Sequence, residues 1–254
     1  MGKGLREAYR EEIAFQFPVY TYRNRQYRKE VDMVKKFLIL SLFCLLAMSQ
    51  SAKAEDSEPI QLAIFNPIQI VPETDSINGA RLSLFYTVNK DVSGLSLVWL
   101  GVNRATGDVK GVEIGLGNWV EGSSYGLQAG LLNHAGKRFV GLQYGAVNIT
   151  EGDFTGIQWG FVNWTEGFMH GSRCGVVNIS KGQSAGADLG IVNYNDGSFN
   201  GFQGGFFNYA AEMRGVQLGL VNYTKSLNGL QIGLGNYNGN KEPLEFMVLV
   251  NWSF

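Results

Sequence analysis

Few side chains in this 254-residue sequence are equipped for chemistry. His134 and His170 could serve as acid–base groups or metal ligands, but either role needs partner groups that converge in space. The two histidines fall at turns or strand ends of different segments, and no such partners can be assigned to them. Cys174 could be a nucleophile, yet its position is Ile, Leu, Tyr or Trp in the neighbouring segments, so it reads as a small packing residue. Most carboxylates stand in turns, where solvation accounts for them. Glu113, Arg173 and Asp188 differ, because each stands where a Gln recurs elsewhere. Arg173 and Asp188 belong to adjacent segments and can approach across a sheet, either as a compensating pair or as a charged constriction in a lumen. Gly-x-x-x-Gly recurs throughout, but it lacks both the Lys of a phosphate loop and the strand-to-helix context of a dinucleotide site. The sequence therefore assigns no catalytic, cofactor-binding or metal-ligating residue, and it predicts a protein that is not an enzyme.

The elements that position these residues are repeats. A glycine opens a phrase such as GIQWGFVN at 111, 126, 141, 156, 171, 186, 201, 215 and 229, a spacing of 15 six times and then 14 twice. Each phrase closes on an asparagine: Asn118, Asn133, Asn148, Asn163, Asn178, Asn193, Asn208, Asn222 and Asn236. Looser copies begin at Gly79 and Gly94, and LEFMVLVNWSF ends the chain. Between phrases lie Glu121-Gly122, Glu151-Gly152, Glu166-Gly167, Lys181-Gly182 and Asp196-Gly197, pairs suited to two-residue hairpins because Gly accepts positive φ. Paired glycines disfavour a helix by about 1 kcal/mol each, and the β-branched and aromatic content suits a pleated surface. Each unit is a strand and a turn. By alternation, one face carries Thr155, Ile157, Trp159, Phe161, Asn163 and Thr165, and the other Phe154, Gly156, Gln158, Gly160, Val162 and Trp164. Five Asn-x-Ser/Thr matches, at Asn148, Asn163, Asn178, Asn222 and Asn251, follow from the repeat and read as turn chemistry.

Two all-β architectures can use such units. The expected one is an antiparallel meander closed into an outer-membrane-type barrel of about twelve strands. With a turn at Glu166-Gly167, Ile157 faces Val176, Trp159 faces Cys174 and Gln158 faces Gly175, which keeps apolar residues on one side. Phe246, Val248, Val250, Trp252 and Phe254 alternate to a terminal aromatic, and Phe246, Trp252 and Phe254 resemble the C-terminal strand signal of outer-membrane barrels. Such a barrel implies outer-membrane lipid and the barrel-assembly machinery as partners, and a structural or narrow-pore role. The alternative is a β-solenoid with 15-residue coils, a surface module for binding or adhesion, in which the asparagines stack and satisfy one another. Two points favour the solenoid: Asn sits awkwardly on a lipid face, and three outward residues cover only about 13–17 Å against a barrel band of about 25 Å. Against it, the glycine pairs would stack as empty columns and no capping unit is evident.

The lead-in PIQLAIFNPIQIVPETDSINGARLSLFYTVN (59–89), the repeats and the closing VLVNWSF together resemble the bacterial surface-repeat proteins built from GLQxGLVN units, known in spirochaetes and other Gram-negative-type bacteria. The resemblance covers most of the chain after residue 54. It implies an exported protein of the outer membrane or cell surface with no assigned catalytic residues. Ser172, Arg173, Cys174 and Asp188 depart from the family pattern.

The N-terminal part stands apart from the repeats. MVKKFLILSLFCLLAMSQSAKA (33–54) has Lys35 and Lys36, a short apolar run and an Ala-x-Ala site, the pattern of a secretory signal peptide cleaved after Ala54. The run is too short to span a bilayer. Cys44 within it follows the bulky Phe43, which disfavours lipid attachment. Residues 1–32 would then be an upstream extension, with Met33 as the true start. Segment 55–78 is a lead-in, and 79–254 is one β-repeat domain. The chain carries 21 basic and 22 acidic residues, of which the first 54 hold 10 and 5, leaving 11 and 17, a net of −6. That balance offers no basic patch for nucleic acid. Cys174 alone remains after residue 54, so no internal disulfide can form in the exported part.

Overall fold

A computed structural model describes residues 57–241 and 243–254. The expected upstream extension and signal peptide lie outside the described residues. All regular structure among the described residues is β-strand, as the paired glycines and β-branched content require.

The strands do not form the expected meander or close into a barrel. Successive repeats pair in parallel and in register: Gly156 aligns with Gly141 and Gly171, Gln158 with Gln143 and Arg173, Asn163 with Asn148 and Asn178. The described residues form a β-solenoid of about twelve turns, one repeat phrase per coil. The Glu-Gly pairs are not hairpins. At Glu166-Gly167 the chain rises to the next level, with Glu166 N–H donating to Thr150 O (3.0 Å) and Gly167 N–H to Gly152 O (3.1 Å).

Each coil has two strands and a corner. In the Gly141 coil these are Phe139–Tyr144 and Val147–Thr150, with Gly145-Ala146 between them. In the Gly156 coil they run on as Phe154–Thr165. The corner changes which parity points inward. Phe154 and Gln158 are buried before it, Asn163 and Thr165 after it, while Ile157, Trp159 and Phe161 are exposed. Strict alternation had placed Asn163 and Thr165 with the exposed residues; the one-residue phase slip at Gly160-Phe161 moves them inside.

The glycine columns are not empty. The coil-opening glycines from Gly79 to Gly229 all have positive φ, between 127° and 153°. A Cβ on Gly156 would lie 1.9 Å from the Gly141 carbonyl oxygen, and one on Gly160 would lie 2.3 Å from Gly145 O. The backbone of the coil below fills the space, so only glycine fits.

Four inward columns make the core. One holds Ile77, Val92, Val109, Phe139, Phe154, Met169, Phe199, Met213 and Leu227, with Phe139 and Phe154 stacked at 5.7 Å. A second holds small residues such as Ala105, Ala135, Thr150, Thr165, Ser180 and Ala210. The other two are the Gln and Asn columns. Where Ser184 replaces the large apolar residue, Asn195 replaces the small one and donates to Ser184 Oγ at 2.7 Å, so the space is filled from the other side.

Both ends are finished differently from the middle. Strand Ser57–Phe65 pairs in parallel with Ser76–Ser83 and antiparallel with Ile68–Gln69, so the lead-in supplies the first rung. At the other end Phe246–Ser253 runs antiparallel against Val221–Asn238. LEFMVLVNWSF is thus a lid, not the twelfth stave of a barrel; Phe246, Trp252 and Phe254 lie exposed on it.

Gly156→Ala should destabilise the fold by about 3 kcal/mol, combining unfavourable φ with overpacking against a backbone carbonyl. Gly235 has no positive φ, and an added Cβ there meets only the Phe246 ring at 3.3 Å, so Gly235→Ala should stay within about 0.5 kcal/mol. Urea denaturation midpoints of the two variants check the contrast.

Candidate functional site

The residues singled out by sequence are assembled in the interior, into two amide ladders. Asn118, Asn133, Asn148, Asn163, Asn178, Asn193, Asn208, Asn222 and Asn236 stack in one column, preceded by Asn103. Each Nδ2 donates to Oδ1 of the next coil at 2.8–2.9 Å, from Asn103 to Asn236. The second amide proton goes to a corner carbonyl of the next coil, as from Asn163 to Cys174 O at 3.1 Å. Asparagine therefore satisfies both its neighbour and the bend in the backbone. The Gln ladder donates in the opposite direction. Gln158 gives to Gln143 (2.8 Å), Gln143 to Gln128 (2.9 Å) and Gln128 to Glu113 Oε2 (2.9 Å). Further on, Gln231 gives to Gln217 and Gln217 to Gln203, both at 2.8 Å.

Charged residues interrupt the Gln column twice. Arg173 and Asp188 are fully buried and bidentate, Nε to Oδ1 at 2.8 Å and an Nη to Oδ2 at 2.6 Å, with the remaining Nη donating to Ile179 O at 2.6 Å. They meet as a compensating pair; the lumen in which they could have formed a constriction does not exist, because side chains fill the interior. Arg81 donates to Ser96 Oγ (2.6 Å) and Arg104 O (2.8 Å) and reaches Glu113, two coils on, at 3.3 Å. Burial pushes the Glu113 carboxyl up, opposed by Arg81 and by the Gln128 amide. Burial also brings the Arg81 guanidinium down to about 10, opposed by Glu113. Both pairs are locked into the core and have no route to a substrate.

The histidines remain apart. His134 stacks on Trp119 at 3.9 Å with Nε2 3.1 Å from Glu151 Oε1, and His170 stacks on Phe168 at 6.4 Å. Cys174 is half-buried beside Trp159 on the outward side. No cluster of three or more His, Cys, Asp or Glu suited to a metal occurs among the described residues.

What the solenoid offers outward is an edge. At the corner, Leu116, Leu131, Phe161, Ile191, Phe206, Leu220 and Leu234 form an exposed column, with Phe161 at 65 % and Phe206 at 55 % of full exposure. Beside it on one strand lie Ile114, Tyr144, Trp159, Leu189 and Leu218, and on the other Val102, Phe207 and Val221. From Gly79 to Gly235 these columns contain no Asp, Glu, Lys, Arg or His. Where Ala129 and Ala146 are small, a groove of about 700 Å³ opens between Leu131 and Trp159. Two residues further along the strand, Arg104, Trp119, His134, Ile149, Trp164, Ile179, Tyr194, Tyr209, Tyr223 and Tyr237 form a second outward column that is mostly aromatic, with the tyrosines stacked at 4.6–5.5 Å. Three ion pairs run along the stack: Arg104–Glu121 and His134–Glu151 each join a strand residue of this column to a turn carboxylate, and Lys181–Glu166 joins two turn residues. Sequence reasoning found Ile157, Trp159 and Phe161 on one face but missed the aromatic column. Its signal was the recurrence of Trp or Tyr directly after the asparagine.

Compared with protein-family models, curated proteins and solved structures, the chain matches none.

Arg173→Gln combined with Asp188→Gln would restore an unbroken Gln column. The double variant should be as stable as the parent or more so, whereas each single change strands a buried charge and should cost about 3–5 kcal/mol. Chemical denaturation of the four proteins, treated as a double-mutant cycle, measures this.

Proposed function

We propose that this chain is an exported, non-enzymatic β-solenoid of a bacterial cell surface that works as a binding module through its apolar edge. The observation that carries this reading is that edge. The core is complete without it, yet large apolar side chains stand in water at every level from Leu116 to Leu234. Eleven glycine-opened coils at about 4.8 Å per rung make the edge about 50 Å long. Folded monomers rarely leave an apolar patch above a few hundred Å² uncovered, and patches of that size mark interaction surfaces. Export is supported by the signal-peptide pattern of 33–54, and a bacterial surface by the likeness to GLQxGLVN repeat proteins. The buried ion pairs supply register, not reactivity.

Protease added to intact producing cells should digest the protein, and the recovered N-terminal peptide should begin at Glu55. Recovery of the undigested protein from the cytosol, with peptides from residues 1–32 attached, would overturn export and the surface role together.

A further inference from the structure

The outward side of each coil is zoned, and the zoning identifies what the edge binds. The corner is purely apolar; along the strand after it the mostly Trp–Tyr column follows, with Arg104 and His134 in its first coils, and the charged turns lie beyond that column. Apolar, then amphipathic aromatic, then charged is the order in which a bilayer presents its acyl chains, headgroup boundary and water. We propose that the corner seats the solenoid lengthwise in one leaflet of a lipid bilayer, with the Trp–Tyr column at headgroup level and the turns in water. This rests on the binding-module reading and names its partner.

Three features of the structure support a lipid occupant. The first is depth. Trp164 lies three residues past Phe161 on a strand rising about 3.3 Å per residue, so the aromatic column stands about 10 Å back from the corner. Elements that lie within a membrane interface bury their apolar side by about 5–10 Å. The second is the backbone. Polar main-chain groups in contact with hydrocarbon must be paired, and several at the corner are: Leu131 N–H donates to Leu116 O (2.8 Å), Phe206 N–H to Ile191 O (2.9 Å) and Leu220 N–H to Phe206 O (3.0 Å). The third is shape. The two strands of a coil enclose the core, so their outward sides face different ways, and apolar residues flank the corner on both. A second copy packed face to face covers one flank and leaves the other wet. A fluid leaflet covers the corner and both flanks, and the groove beside Ala129 and Ala146 gives an acyl chain room to enter.

Charge does not drive this contact. Residues 55–254 hold 11 basic and 17 acidic groups (21 less 10, and 22 less 5), so an anionic headgroup adds no attraction and binding should be insensitive to salt.

Flotation of the full chain with phosphatidylcholine vesicles tests the proposal, at low salt and again at 1 M salt. The parent protein should float equally in both. Phe161→Asp combined with Phe206→Asp should reduce the floated fraction at least tenfold, while Lys137→Ala, in a turn, leaves it unchanged. All share the same N-terminal 56 residues, so the difference reports the corner, and unchanged thermal unfolding of the double variant shows that the fold is kept. The proposal is overturned if the parent stays at the bottom of the gradient, if the double variant floats as well as the parent, or if flotation requires anionic lipid and is lost in salt. It is also overturned if the parent is a dimer in solution that the double variant dissociates without any effect on flotation. A protein digested on intact cells that fails to float would retain its role as a surface module and lose only its lipid partner.

Discussion

A carboxamide can hydrogen-bond to a translated copy of itself, because it carries a donor and an acceptor on opposite sides of one planar group. Among buried side chains this property belongs to Asn and Gln, and the solenoid depends on it. Nine successive Asn-to-Asn bonds at 2.8–2.9 Å require that equivalent residues stand directly above one another. That requirement sets the parallel pairing, holds the interior outline constant from coil to coil, and pushes every change in coil length into loops. The 17-residue coil opened by Gly94 and the 14-residue coils opened by Gly201 and Gly215 differ from the rest outside the columns. The two extra residues of the Gly94 coil enter at its corner, beside Trp99, which points into solvent.

Much of this was legible. The period, the all-β character, the inward Gln and the outward Ile157, Trp159 and Phe161 all follow from spacing and alternation. The pairing mode did not, and the reason lies in the repeat itself. An antiparallel turn at Glu166-Gly167 and a parallel shift of 15 both set Trp159 opposite Cys174, and both keep apolar beside apolar, so hydrophobic pattern alone cannot separate them. Two features could have done so. Asparagine is a poor neighbour for lipid and a good neighbour for itself. A glycine at one fixed point of every coil marks a close backbone approach, where a barrel would have tolerated alanine. The aromatic column was hidden because the corner slips the alternation by one residue, which strict period-two counting carries straight through.

The two buried ion pairs answer a difficulty that the ladders create. A column of identical amides is indifferent to a slip by one whole coil, since every bond re-forms. Arg173 and Asp188 are not interchangeable with glutamine, and a slipped stack would bury one without the other. Arg81 and Glu113 do the same near the other end, across two coils. Each pair contributes little net stability after desolvation, but it makes the correct alignment the one arrangement in which no charge is stranded.

The opposite donor directions of the two ladders have a consequence for electrostatics along the axis. Hydrogen-bonded amides polarise one another, and a single long stack would accumulate a dipole with its length, as an α-helix does. Here the Asn stack points its donors towards the C-terminus and the shorter, interrupted Gln stack towards the N-terminus, so their moments oppose and partly cancel. Adding coils therefore adds core while charging the ends less than a single stack would. The length of such a rod is limited by gene length and by its lids more than by a growing internal field.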